Sequence, residues 1–262
     1  MSPLLSARGL TMQFRGLLAV DGVDVDVATG SVHGIIGPNG AGKTTLFNLV
    51  SGLLQPTSGT LTLEGRDVTA SPPYARTRLG LARTFQNIRV FSDMTALENV
   101  LTGMHTRLET PGWKALLPGS GAGERAAKAQ AMELLEFVGL TDRANVRSGS
   151  LAYGEQRRLE IARALASRPR LLLLDEPAAG MNPAETRELA VLLRRLGERD
   201  ISLLLVEHDM RFVMDLCDRI TVLNFGRKIA EGDPLSIRND PQVIEAYLGK
   251  KVAERLSRML DA

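Results

Sequence analysis

The stretch Gly37-Pro38-Asn39-Gly40-Ala41-Gly42-Lys43-Thr44, followed by Thr45, matches the pattern G-x-x-x-x-G-K-[ST] at every fixed position. Its glycines let the backbone turn tightly enough for successive N–H groups to face one set of phosphate oxygens. The apolar run Val32–Ile36 before it reads as a short strand, and Lys43–Ser51 after it reads as a helix. A helix start offers its dipole and its unpaired N–H groups to an anion, so strand, loop and helix together make a phosphate cradle. Lys43 then reaches the β- and γ-phosphates of a nucleotide, and Thr44 ligates magnesium. A chance match is the competing account, but chance does not place the string between a buried strand and a helix. The expected ligands are ATP and Mg2+, with Gly37 through Thr45 around them.

Downstream, Leu171–Leu174 is wholly apolar, as in a parallel strand buried on both faces. It sets Asp175 at the C-terminal edge of that strand, where αβ sheets bind ligands. Asp175 is the expected magnesium partner, and the neighbouring Glu176 the expected general base for an attacking water. Alone, an Asp-Glu pair before Pro177 also reads as a turn cap. Asn182-Pro183-Ala184-Glu185 is a helix start, with Asn as cap and Pro in the first position. Ser202–Val206 is a second buried strand. After it, Asp209 caps a helix on which Met210, Val213, Met214 and Cys217 share one face. Alternating strands and helices imply a parallel αβ core.

Upstream, Val23–Val27 alternates valine with aspartate, the pattern of a half-buried strand, and Thr60–Leu63 reads as another. From about Phe85 to Gly149 the pattern is mainly helical. Thr95-Ala96-Leu97-Glu98 is a capping box. Ala127, Ala131, Leu134, Leu135 and Val138 form a helical stripe. Between them, Pro111–Gly123 with Trp113 reads as a surface loop.

A chain of 262 residues suits one large domain, or a main domain with an inserted subdomain. The charge balance of 32 − 30 = +2 gives no basic field, so nucleic acid is not an expected partner. The single Cys217 permits no internal disulfide, which suits a reducing compartment. The N-terminal stretch lacks the basic and apolar regions of a signal peptide. The longest apolar runs are about six residues against the roughly 20 of a membrane span, so a membrane role requires a partner.

Taken in order, the phosphate loop, Gln86 after Arg83-Thr84-Phe85, Leu151-Ala152-Tyr153-Gly154-Glu155 before an Arg-rich helix, Asp175-Glu176, Ala179-Gly180-Met181-Asn182 and His208 resemble the ABC ATPase family. The resemblance runs to about Gly249. It implies an α/β P-loop NTPase of the ABC ATPase fold. That fold has a mostly parallel core sheet, an N-terminal antiparallel β subdomain and an inserted α-helical subdomain. The core would occupy 1–85 and 151–249, the helical signature subdomain 86–150, and a helical tail 250–262. The resemblance also implies roles. Gln86 links the magnesium site to a transmembrane partner and joins Thr44 and Asp175 at the metal. Leu151–Glu155 reaches the γ-phosphate held by a second ATPase subunit in a head-to-tail dimer. Ala179–Asn182 is the D-loop, His208 stabilises the γ-phosphate geometry, and Phe14 lays its ring against adenine. Lys43, Gln86, Glu176 and His208 would then carry catalysis. On their own, Gln86 reads as a solvated strand-end residue, Asn182 as a cap and Phe14 as core. His33, His105 and Cys217 read as structural.

Leu151–Glu155 departs from the family form LSGGQ at Ala152, Tyr153 and Glu155. Ala152 offers no hydroxyl, but the N–H groups of a helix start still bind anions. These departures resemble the LivG-type ATPase subunits of branched-chain amino acid importers. So do Arg83-Thr84-Phe85-Gln86-Asn87 through Phe91, the insertion after Gly103, Glu207-His208-Asp209-Met210 and the ending Asn239–Gly249. The resemblance implies transmembrane permease subunits, an indirect periplasmic solute-binding protein, and a peripheral place on the cytoplasmic face of the inner membrane. Related amide or urea importers and lipid exporters remain alternatives. ABC-type ATPases of DNA repair or translation carry long coiled-coil insertions or tandem modules, for which this chain has no room. In the tail, Val252, Leu256, Met259 and Leu260 form a stripe among basic residues. It fits packing on its own domain, or contact with a partner or membrane.

Overall fold

Apolar strands from both halves of the chain assemble one six-stranded sheet in the computed structural model, which describes residues 3–104 and 121–248. The elements of the first half are β1 (Leu5–Phe14), β2 (Leu17–Val27), β3 (Val32–Ile36), α1 (Lys43–Ser51), β4 (Ser58–Leu63), β5 (Arg66–Asp67), α2 (Pro73–Arg78) and β6 (Leu81–Arg83). The middle contributes α3 (Ala96–Gly103), α4 (Gly121–Phe137) and α5 (Tyr153–Leu165). The last part adds β7 (Leu171–Asp175), α6 (Pro183–Gly197), β8 (Ser202–Val206), α7 (Met210–Leu216), β9 (Arg219–Asn224), β10 (Arg227–Gly232), α8 (Pro234–Asn239) and α9 (Pro241–Leu248).

The larger sheet has the order β10-β9-β3-β8-β7-β6, parallel except for the β10–β9 pair. The smaller sheet is antiparallel, with the order β2-β1-β4-β5. The central strands β3, β7 and β8 are buried on both faces, which explains the leucine runs of β7 and β8. Leu172, Leu174, Leu203 and Leu205 enter the core that includes the helices of the middle segment. Leu171, Leu173, Leu204 and Val206 enter the core shared with α1 and the smaller sheet. The expected parallel core with an antiparallel β part at the N-terminus is present.

Several expectations are adjusted. The strand expected at Val23–Val27 begins at Leu17, because β2 pairs with β1 along a long hairpin. Residues 85–94, expected to be helical, are irregular until Thr95 caps α3 with the expected box. Gly123 belongs to α4, so the expected loop Pro111–Gly123 stops short of Gly121. On α7 the buried face is Phe212, Val213 and Leu216, with Cys217 buried just beyond the helix. Met210 and Met214, half-buried, pack against the same core as Val213 and Cys217, as expected, and also line a groove shared with α8 and α9. His105, Trp113 and the tail 250–262 lie outside the described residues. Among the described residues no helix is long and apolar enough to cross a membrane.

Candidate active site

The phosphate loop joins β3 to α1 through positions that only glycine fits. Gly42, the residue before α1, has φ +99°, and a Cβ there would lie 2.4 Å from the carbonyl oxygen of Ala19. A Cβ on Gly37 would meet the carbonyl oxygen of Leu223 at 2.1 Å. The loop is thus wedged between β2 and the end of β9. No side chain caps α1, so its first N–H groups stay free for an anion. Lys43 Nζ donates to the carbonyls of Gly37 at 2.7 Å and Pro38 at 3.0 Å. Burial holds its ammonium below the usual lysine range, and the charge of Glu176 opposes that shift. Ala41 is buried, Thr45 half-buried, and Thr44 exposed at the helix mouth.

Asp175 ends β7, as expected, and is nearly withdrawn from water. Its Oδ2 accepts from Arg83 on β6 at 2.8 Å. The same guanidinium donates to Asn48 Oδ1 at 2.8 Å and to Ser51 Oγ at 2.7 Å, and lies over the rings of Phe47 and Phe85. Arg83 therefore ties α1, β7 and the segment leading to Gln86 to one another. Its role was not legible in the sequence, because its hydrogen-bond partners lie 32 to 92 residues away.

Glu176 follows directly with φ +47°, a left-handed conformation that turns its carboxylate off the sheet edge. Its Oε2 accepts from Gln86 Nε2 at 2.7 Å and lies 2.9 Å from His208 Nε2. Three expected catalytic residues from different elements thus converge on one oxygen atom. Because Gln86 spends its amide N–H₂ on Glu176, its Oε1 remains an acceptor. Thr44 hydroxyl, Asp175 carboxylate and Gln86 Oε1 are oxygen donors of the kind magnesium prefers. Glu207, fully buried, accepts from the backbone N–H of Ala178 at 2.8 Å and of His208 at 3.1 Å. Burial pushes its carboxyl up, with these two N–H groups opposing. It joins the end of β8 to the segment after Glu176.

Leu151 is buried, and Ala152 caps α5 without a side-chain acceptor. Glu155 supplies the other half of the cap. Its Oε2 accepts from Ala152 N–H at 3.0 Å, and its Oε1 receives Arg143 Nε at 3.2 Å. Tyr153 packs its ring on Gly180, within 3.4 Å of a Cβ built there, and Gly154 faces Glu185. Asn182 caps α6 as expected, accepting from Ala184 and Glu185 N–H groups. Of the altered residues, Tyr153 therefore seats α5 against the turn before α6, and Glu155 caps α5 itself. Phe14 is exposed at the end of β1, opposite Leu17 at the hairpin turn. His33 is buried and bonded to the Thr221 hydroxyl at 2.9 Å, consistent with a structural role.

The model of the ABC transporter family matches residues 20–179. A second family model, the branched-chain amino acid ATP-binding cassette transporter, matches residues 227–253. The chain is 49% identical over 251 residues to the high-affinity branched-chain amino acid transport ATP-binding protein BraF of Pseudomonas aeruginosa, covering 95% of this chain and 98% of BraF. It is 47% identical over 251 residues to the corresponding protein LivG of Salmonella typhimurium, with the same coverage. Among solved structures, the ADP conformation of MJ1267, an ATP-binding cassette of an ABC transporter, superposes with a TM-score of 0.84 at 31% identity. That match covers 95% of this chain and all of MJ1267.

Proposed function

Because the chain belongs to the ABC transporter family of ATP-binding subunits, we propose that it hydrolyses ATP at the site built around Glu176 and so powers an importer of branched-chain amino acids. The observation that carries this reading is the shared oxygen of Glu176, held by Gln86 and His208 beside Lys43 and the phosphate loop. In it, the loop N–H groups and Lys43 bind the β- and γ-phosphates, and Phe14 lies against the base. Thr44, Asp175 and Gln86 would hold magnesium, which supplies charge neutralisation on the phosphate oxygens. Glu176 takes the proton of the attacking water, and His208 orients Glu176 and the γ-phosphate. A second copy or a homologous subunit presents its Leu151–Glu155 segment across a head-to-tail dimer.

The substrate class rests on the similarity to BraF and LivG and on the match of residues 227–253 to the branched-chain family. A groove of about 690 Å³ beside the Gln86 segment, lined by Arg83, Arg89, Phe91 and Arg163 among others, suits a segment of a permease subunit. The ATPase then works as a peripheral protein on the cytoplasmic face of the membrane. The test is ATP hydrolysis by the chain assembled with its permeases in vesicles, with solute receptor supplied outside. Receptor loaded with leucine, isoleucine or valine is expected to stimulate hydrolysis and uptake. Stimulation by a urea- or amide-loaded receptor instead would reassign the substrate.

A further inference from the structure

We propose that Arg157 and Glu160, on the helix that starts at Tyr153, are positioning residues that fix Gln86 against Glu176. The proposal rests on the reading of Gln86 and Glu176 given above and adds a control on it.

The pair is fully withdrawn from water, with side-chain exposures of 0% and 2%. Arg157 Nη1 donates to the Phe85 carbonyl at 2.7 Å and to Glu160 Oε2 at 2.9 Å, while Nη2 donates to the Gln86 carbonyl at 2.8 Å. The other oxygen of Glu160 accepts from the N–H groups of Phe85 at 3.5 Å and Arg89 at 3.2 Å. Residues 85–94 have neither helix nor strand ladder to satisfy their backbone. Phe85, Gln86 and Arg89 instead give their main-chain groups to one buried ion pair on α5. An apolar pair of similar volume at this depth would often be no less stable. Stability alone therefore does not account for two buried charges aimed at one loop.

The consequence is geometric. The backbone of Gln86 is registered to α5, while its side chain is registered to Glu176. A displacement of α5 moves the Gln86 carbonyl with it and stretches the 2.7 Å contact to the catalytic carboxylate. Glu160 also lines the groove that contains Arg89, Phe91 and Arg163. A segment pressed into that groove bears on the same pair. Neither residue touches nucleotide in this account, and both act through Gln86.

The test is a double-mutant cycle on the full chain with ATP and magnesium. Arg157→Met is expected to lower kcat about tenfold to a hundredfold, the usual cost of misplacing a catalytic group from a distance. KM for ATP should change little, because the phosphate loop is untouched. In a Gln86→Ala background, Arg157→Met should cause no further loss, because its effect passes through that side chain. Removing Arg157 alone strands Glu160, so the joint Arg157→Met/Glu160→Leu variant repeats the measurement in a fold without buried charge. Wild-type kcat in either folded Arg157 variant overturns the proposal while leaving Gln86 and Glu176 in place. Losses that multiply in the double variant also overturn it. Wild-type kcat in Gln86→Ala overturns both the proposal and the assignment of Gln86.

Discussion

Arg83 holds Asp175 by its Oδ2 at 2.8 Å, and both side chains are more than nine-tenths withdrawn from water. Deep in a protein, removing one partner of such a pair leaves a buried charge uncompensated. Arg83→Ala is therefore expected to destabilise the fold by about 3–5 kcal/mol. Urea unfolding reads this directly, with Arg83→Lys falling between variant and wild type. A loss below about 1 kcal/mol, the range of exposed pairs, would show that Asp175 finds water or another donor.

Glu176→Gln keeps the volume and the contacts of the side chain but cannot take a proton. Nucleotide binding should persist, while steady-state phosphate release falls by about 10²–10⁴-fold, the usual contribution of a general base. Near-wild-type release would place the base elsewhere. His208→Ala should slow release less, since Gln86 still holds Glu176 Oε2.

The two predictions draw on different kinds of legibility. β3, α1 and β8 are found at their expected bounds because their signals are local: an apolar run ending at the phosphate loop, the loop itself, and an apolar run before Glu207. Asp175, Glu176 and His208 were legible because each stands at the end of such a run. Arg83, Arg157, Glu160 and Glu207 were not, because an arginine or glutamate reads as a solvated charge until its partner is known. Arg157 meets Phe85 across 72 positions, and Glu207 meets Ala178 across 29. In the sequence the departures Tyr153 and Glu155 read as features shared with LivG-type subunits. In the fold they also have local work, as a ring on Gly180 and as half a helix cap.

Gly42 and Gly40 both have positive φ, at +99° and +79°, but only Gly42 is crowded. Gly40→Ala meets no atom within 4 Å and carries only the backbone strain of about 1–3 kcal/mol. Gly42→Ala adds a contact of 2.4 Å to the Ala19 carbonyl, which forces the loop off β2. Calorimetric titration with ATP should show Gly42→Ala without measurable binding and Gly40→Ala with weakened binding. Equal affinities in the two variants would contradict the wedge of Ala19 against the loop.

His33 gives a pH dependence of definite sign. Burial lowers its pKa from 6.5 to about 4, and its Nε2 is engaged by the Thr221 hydroxyl at 2.9 Å. The unfolded chain therefore takes up a proton near pH 6.5 that the fold refuses until about pH 4. Between those values the unfolded state binds more protons, so stability falls as the pH falls. The contribution is complete above pH 6.5 and amounts to about 3 kcal/mol across the window, at 1.36 kcal/mol per unit. His33→Gln can still reach Thr221 but does not titrate. Urea unfolding of both proteins at pH 7 and pH 4.5 should show the variant losing less stability over that interval. The carboxylates contribute equally to both proteins, so the difference isolates the histidine. Parallel losses would mean that His33 takes up its proton in the folded state near its ordinary pKa, with the Thr221 contact open to water.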